Sequence, residues 1–399
     1  MRSVAMLSPY RRRGGPILTA DDTALNVYTR FLTRALAGRG VRISILAPRS
    51  DRDDRCWEDD GVPIVPSYRR GSISAPYDIA RTLAKRSEPI LHVQFELRAY
   101  GGLSSGFLLL PVLASYRRKL RIVTTIHGLP SARAIDAGLA KRTGLRAPLS
   151  AVRAVLRALG TGLAKVSDRL IVPAAAQRAL LVEEYSAAPE RVAVIHSGVD
   201  EVAAPPSREE SRRRLDLPPE AIVILFLGFW APYKRLDLLI PAIRTWLERG
   251  KNRFFILAGT SSPRYQRRDA SLSVMGADRF RVCGFVPTDE SPYYFRAADA
   301  LVMPYDISLG SATLTSALAY DLPVLVSRPL AAGYGMSNSF DLTHDGIVEI
   351  LERFAEQPEL RKQVRQESAA LKATHGWSQH AALTEGLYKE LLAERPATG

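Results

Sequence analysis

Lys234 is the residue whose type and setting most directly suggest chemistry. It lies in a short loop between Gly228 and the apolar stretch that starts at Leu236. Ile222–Leu227 before it reads as a buried strand. Leu236, Leu239, Ile240 and Ile243 after it share one face of a helix. A lysine at such a turn stands at the C-terminal edge of a parallel sheet, where α/β proteins bind ligands. Its compact ammonium suits an anion docked on a nearby helix N-terminus, with a phosphate-bearing ligand as the natural reading. A surface lysine at a helix start is the plain alternative.

A second turn of the same kind follows. Ala300–Met303 reads as strand, Pro304–Gly310 as loop, about Ala312–Tyr320 as helix and Val324–Ser327 as strand. The turn is small and hydroxyl-rich, with Ser308, Gly310, Ser311, Ala312 and Thr313. Small residues let backbone amides approach a diphosphate, and the hydroxyls add donors. Two such turns in one α/β domain suggest a nucleotide-diphosphate site.

The elements that position these residues follow from the wider pattern. A chain of 399 residues is long for one domain. Strand and helix signals alternate on both sides of the Pro/Ala stretch Glu201–Pro206, as in doubly wound sheets. The first series is strands at 2–8, Arg42–Leu46, Val62–Val65, Ile90–Gln94, Ile122–Ile126, Arg169–Val172 and Val192–Ile195. A helix carrying Leu25, Tyr28, Phe31, Leu32 and Leu36 has Asp22 or Thr23 as its expected cap. The second series ends with helices near Pro358–Lys372 and Gln379–Ala393. The expected domains are 1–200 and 201–376, with 377–399 as a terminal helix.

Composition is that of a globular protein, at 46% hydrophobic and 24% charged residues. No run reaches the ~18 apolar residues of a membrane span, and Met1–Leu7 reads as a first strand, not a signal peptide. Cys56 and Cys283 lie far apart, which fits a reducing cytosol and gives no metal spacing. The charge is lopsided. Residues 1–200 hold 31 Lys and Arg against 17 Asp and Glu, the whole formal +14 of the chain. Clusters lie at Arg11–Arg13, Arg69–Arg70, Arg117–Lys119 with Arg121, and Lys141–Arg142. An anionic partner for the first domain is the expectation. The run Phe107–Leu113 ahead of Arg117 would suit an anionic membrane surface, and a charged soluble acceptor would use the same charge.

Several segments, in order, resemble glycosyltransferase family 4, the retaining, metal-independent sugar-nucleotide group with the GT-B fold. Ile195-His196-Ser197-Gly198-Val199-Asp200 is similar to the family segment that closes the first domain. Leu227-Gly228 and Lys234 resemble its donor-phosphate loop, and Gly284-Phe285-Val286-Pro287 its loop beside the nucleotide base. Ala298-Asp299-Ala300 leading to Pro304 resembles the approach to the donor site, and Trp377 with the last helix resembles the family tail. The resemblance covers nearly the whole length. It implies two Rossmann-like domains facing across a cleft, the first for the acceptor and the second for a UDP- or GDP-sugar. The last helix would cross back to the first domain.

The resemblance also assigns roles. His127, after Thr124-Thr125-Ile126, would face the donor sugar. Glu96, Gly101 and Gly102, after Leu91-His92-Val93-Gln94-Phe95, would line the acceptor side. Gly14 and Gly15 resemble the glycine loop beside the donor phosphates, in a longer insertion than usual. The departures are specific. Phe229 follows Gly228 where many members have arginine, so Arg235 is the candidate replacement cation. Ser308 and Ser316 stand where the family has paired glutamates, and Ser311-Ala312-Thr313-Leu314 is closer to a branch with Ser-Gly-Thr-Leu. Asp51-Arg52-Asp53 falls in an acidic loop, so no metal site is expected there. The implied chemistry is front-face transfer, with the departing phosphate taking the acceptor's proton. The implied acceptor is a saccharide, a lipid-linked molecule or a natural product. A nucleic acid is not expected. The expected location is cytoplasmic, including peripheral attachment to the inner membrane face. The rival readings are a sugar-nucleotide epimerase and a degenerate sugar-nucleotide-binding protein.

Overall fold

Short, β-branched-rich apolar runs make the strands, and their burial on both faces marks two sheets covered by helices. The computed structural model describes residues 3–11, 20–49, 55–96, 100, 103–136, 147–202, 204–260, 279–306 and 310–394. The chain divides into two units. One comprises Met1–Lys141, Leu145–Gly198 and Trp377–Gly399, and the other Arg142–Gly144 and Val199–Gly376.

The first unit contains β1 (Ser3–Leu7), β2 (Arg42–Pro48), β3 (Trp57–Asp59), β4 (Val62–Tyr68), β5 (Ile90–Glu96), β6 (Arg121–Gly128), β7 (Arg169–Val172) and β8 (Val192–Val194). Their order in the sheet is β3-β4-β2-β1-β5-β6-β7-β8. All neighbours are parallel except β3 with β4. β3 lies between the expected strands Arg42–Leu46 and Val62–Val65, where no strand is expected. It is three residues long and pairs at the sheet edge, too short to carry a periodic signal. The helix Ala20–Gly38 buries Leu25, Tyr28, Leu32 and Leu36. It starts at Ala20, so Asp22 and Thr23 lie in its first turn and not at its cap.

The apolar run with Pro111 is part of a helix, Leu103–Tyr116. Leu109 and Leu113 are buried in the core, which leaves Phe107 and Leu108 as the exposed large apolar side chains of that run. The basic residues after it are partly committed. Arg117 and Arg121 approach the carboxylate of Asp168 at 3.6 and 3.8 Å, while Arg118 and Lys119 are exposed. Among the described residues, no helix is long and apolar enough to cross a membrane.

The second unit holds a fully parallel sheet of β9 (Ile222–Leu227), β10 (Arg253–Ala258), β11 (Phe280–Gly284), β12 (Ala300–Met303), β13 (Val324–Ser327) and β14 (Ser339–Phe340). Its order is β11-β10-β9-β12-β13-β14. The chain therefore reverses direction across the sheet between β9 and β12. In open α/β sheets the carboxyl ends of the strands beside that reversal form the ligand crevice. The helix Leu236–Glu248 buries Leu236, Leu239, Ile240, Ile243, Trp246 and Leu247 against this sheet, as its spacing predicts.

Candidate functional site

The turn after β9 is built to hold one lysine. Gly228 sits at φ +134°, a backbone setting that side chains avoid. A Cβ there would lie 2.6 Å from Lys234 Nζ and 3.4 Å from Thr313 Oγ1. Pro232–Lys234 forms one 3-10 turn, and Arg235 ends it in the left-handed region at φ +48°. Asp306 N–H donates to the Tyr233 carbonyl at 2.9 Å, which ties the lysine loop to the loop after β12. The two turns singled out by sequence therefore converge at the strand reversal.

Lys234 is 6% exposed. Its ammonium lies 5.1 Å from the centre of the Tyr305 ring and 5.9 Å from those of Tyr233 and Phe226. No carboxylate pairs with it among the described residues, and burial lowers its pKa from the usual lysine value. Aromatic faces attract a cation but do not neutralise it. Among the described residues, the buried Lys234 amine therefore has no counter-anion.

The helix Ala312–Ala319 presents its N-terminus to the same place. Ser311 caps it by accepting from Leu314 N–H at 3.3 Å, and its own N–H donates to the Tyr334 hydroxyl at 3.1 Å. The amides of Ala312 and Thr313 have no intrahelical acceptor, as in any first turn. Burial raises the Tyr305 hydroxyl pKa, and the neighbouring Thr313 and Ser311 oppose that shift. Burial likewise pushes Tyr334 up to about 12. Both phenols stay protonated, and Tyr334 braces the cap.

Neighbouring turns add an aromatic rim. Gly259, at φ +130°, lies so close to the Gly228 carbonyl that a Cβ would sit 2.0 Å from its oxygen. Gly259 N–H donates to the Gly284 carbonyl at 2.6 Å, joining the ends of β10 and β11. Phe285 is exposed, and its ring centre lies 6.3 Å from that of Phe229. Phe229, an unexpected residue beside the glycine, thus partners the expected base-side loop. Val286 packs against the core beneath it.

Arg235 does not stand as a free cation. Its guanidinium makes a two-point contact with Asp237, Nε to Oδ1 and Nη2 to Oδ2, both at 2.9 Å. Asp237 in the first helical turn holds it, so the candidate replacement cation is already paired with a neighbouring carboxylate. Ser316 is part-buried on the helix, four residues after Ala312. Gly14, Gly15, Gly101, Gly102 and Ser308 lie outside the described residues.

In the first unit, His127 occupies the C-terminal end of β6, beside the end of β5, where Glu96 pairs in register with Gly128. His127 Nε2 lies 2.8 Å from Gln94 Oε1, and its ring meets Tyr28 edge-on at 4.4 Å. Burial, then the neighbouring His380, holds its pKa down at about 3, so the imidazole is neutral. Tyr100 pins the ends of β1 and β5 together by donating to the carbonyls of Leu7 and Gln94 at 3.2 and 2.9 Å. Sequence reasoning missed Tyr233, Tyr305, Tyr334 and Gln94. Their signal was weak, since only the preference of buried Tyr and Gln for a polar partner marks them out. Among the described residues, no group of three or more His, Cys, Asp or Glu is arranged to hold a metal ion.

Comparison with known proteins shows the family and the fold. The family model described as Glycosyltransferase Family 4 matches residues 25–202, and that described as Glycosyl transferases group 1 matches residues 207–369. A protein from Streptomyces scabiei named D-inositol 3-phosphate glycosyltransferase is 29% identical, over 97% of this chain and 91% of its own. One of the same name from Corynebacterium efficiens is 27% identical, over 97% and 95%. Among solved structures, sucrose-phosphate synthase from Thermosynechococcus elongatus superposes with a TM-score of 0.73 at 17% identity, covering 98% of this chain and all of that one. HepE from Anabaena, solved with UDP and glucose, superposes at 0.68 with 12% identity and coverage of 98% and 100%. The two matched models follow one another along nearly the whole chain, which belongs to the family 4 glycosyltransferases of the GT-B fold.

Proposed function

We propose that this glycosyltransferase moves a hexosyl group from UDP, with retention at the anomeric carbon, to a hydroxyl of a phosphorylated polyol or sugar. One observation carries the donor reading: the buried Lys234 ammonium at Gly228 has no carboxylate partner among the described residues. A buried charge is costly unless an opposite charge meets it. The diphosphate of a sugar nucleotide supplies that charge, and develops more as it leaves. Lys234, the Thr313 hydroxyl and the amides of Ala312 and Thr313 would stabilise it where it forms. UDP is favoured as the diphosphate because HepE, of the same fold, was solved with UDP and with UDP-glucose.

In the proposed step, the bond between the anomeric carbon and the phosphate oxygen breaks. The acceptor oxygen bonds to the same face, and its proton passes to the departing phosphate. His127 contributes a neutral imidazole to the sugar. The acceptor reading rests on the +14 carried by residues 1–200 and on relatives named for inositol 3-phosphate. Release of UDP from UDP-glucose, measured with inositol phosphates, hexose phosphates and their unphosphorylated parents, tests it. Faster release with a phosphorylated acceptor supports the proposal. Equal rates for both sets would refute the acceptor class.

Peripheral attachment to the cytoplasmic membrane face is a second reading, favoured by exposed Phe107 and Leu108 ahead of exposed Arg118 and Lys119. Co-sedimentation with phosphatidylglycerol vesicles should weaken with salt, and should drop when Arg118 and Lys119 become Ser. Equal sedimentation with phosphatidylcholine vesicles would count against it.

A further inference from the structure

Behind His127 an unbroken hydrogen-bonded chain runs into the C-terminal helix Trp377–Ala393. Gln94 Oε1 meets His127 Nε2 at 2.8 Å, and Gln94 Nε2 meets His92 Nε2 at 3.2 Å. His92 Nδ1 meets the Tyr388 hydroxyl at 2.5 Å, and Thr125 Oγ1 lies 2.7 Å from His92 Nε2. His92, Gln94 and Tyr388 are fully buried. A parallel arm leads from Tyr28, edge-on to His127, through its hydroxyl to His380 Nε2 at 2.9 Å. His380 Nδ1 then donates to the His196 carbonyl at 2.8 Å. Both arms reach the same helix, at Tyr388 and His380, and every contact lies within the first unit.

The polarity of this chain is set by the Gln94 amide as it is placed, Oε1 toward His127 and Nε2 toward His92, since an amide donates only through nitrogen and accepts only through oxygen. Gln94 Nε2 also faces Met6 Sδ, a weak acceptor, at 3.7 Å. Gln94 therefore donates to His92 Nε2, which carries no proton, and Thr125 donates to the same atom. The His92 proton sits on Nδ1 and is given to Tyr388. At the other end Gln94 Oε1 accepts, so His127 carries its proton on Nε2. That leaves His127 Nδ1 as a lone-pair acceptor with no hydrogen-bond partner among the described residues.

We propose that Gln94, His92 and Tyr388 are positioning residues that lock His127 in the Nε2–H tautomer, so that Nδ1 accepts a hydrogen bond from a hydroxyl of the donor sugar. The last helix is then part of the site's machinery and not only a tail. The sugar contact rests on the reading of His127 given above, whereas the tautomer lock does not.

Histidine side-chain nitrogen NMR on the full-length protein separates the two. Without ligand, near neutral pH, His127 should be a single Nε2–H form. Gln94→Leu should give a tautomer mixture, and Gln94→Glu, which keeps the accepting oxygen, should restore the single form. Tyr388→Phe, which removes one hydroxyl, should admit a second tautomer at His92 and His127, and covers the case in which Gln94→Leu fails to fold. With UDP-glucose, Gln94→Leu should lower kcat for donor hydrolysis about tenfold while UDP affinity holds. A wild-type His127 protonated on Nδ1, or an unchanged tautomer in Gln94→Leu or Tyr388→Phe, would overturn the lock. An intact lock with unchanged kcat in Gln94→Leu would overturn the sugar contact. If UDP-glucose is not a substrate, the donor reading fails while the NMR result still decides the lock.

Discussion

The Lys234 ammonium stands where any side chain on residue 228 would have to go, 2.6 Å from the Cβ position of Gly228. The glycine is thus a condition for the lysine. Gly228→Ala adds a methyl at φ +134° against a charge that is enclosed by aromatic rings. Either the backbone shifts or the lysine leaves. Donor hydrolysis should fall by at least about tenfold, with a lower melting temperature from the backbone strain. Wild-type turnover in Gly228→Ala would show that the close approach has no catalytic meaning.

Removing the charge separates function from stability. Lys234→Met keeps volume and takes away a buried amine that has no carboxylate partner among the described residues. Turnover should drop by about 2–4 kcal/mol of transition-state stabilisation. The ligand-free protein should melt higher, because a buried uncompensated charge destabilises the fold. A lower melting temperature with normal turnover would reverse both assignments.

Much of this turn was legible in the sequence because its signals are local. Buried apolar runs, a glycine, a lone lysine and a small-residue helix start lie within short windows, and each has a physical reason to be there. The partners that give the lysine its setting were not legible. Tyr305 lies 71 residues from Lys234 in the chain, and nothing but the strand order β9 beside β12 brings them together. The pairing of Arg235 is local instead, since Asp237 lies two residues on. The histidine network was hidden too. His92 and Tyr388 are 296 residues apart and meet only because the last helix packs in the first unit.

That network makes stability depend on pH. Burial holds His92 and His127 at about 3 and His380 at about 4. In the unfolded chain each titrates near ~6.5. Below that value the unfolded state binds protons that the native state refuses, so stability is greatest above ~6.5 and falls as pH drops toward the folded values. His92 and His380, both buried, should each add a slope of up to about 1.4 kcal/mol per pH unit across that window. Urea unfolding between neutral pH and the mid-acid range should show the loss, and His380→Gln should flatten it. A flat profile in the wild type would contradict the buried neutral histidines.

Gly198 docks the last helix. A Cβ there would lie 2.2 Å from Trp377 Cδ2, and the Trp377 ring is itself held by a stacked Phe31 at 5.8 Å and an edge-on Tyr28 at 5.1 Å. The indole has little room to yield. Gly198→Ala should destabilise by roughly 1–3 kcal/mol, as overpacking does, and should expose residues 377–394 to limited proteolysis. Unchanged melting and cleavage would mean that the helix is held elsewhere.

The central claim is that the buried Lys234 awaits a nucleoside diphosphate, and calorimetric titration with UDP tests it most directly. UDP should bind the wild type measurably, bind Lys234→Met at least about tenfold more weakly, and raise the melting temperature of the wild type by mass action. Equal UDP affinity in both proteins, or no binding of UDP, GDP or ADP by the wild type, would contradict the account.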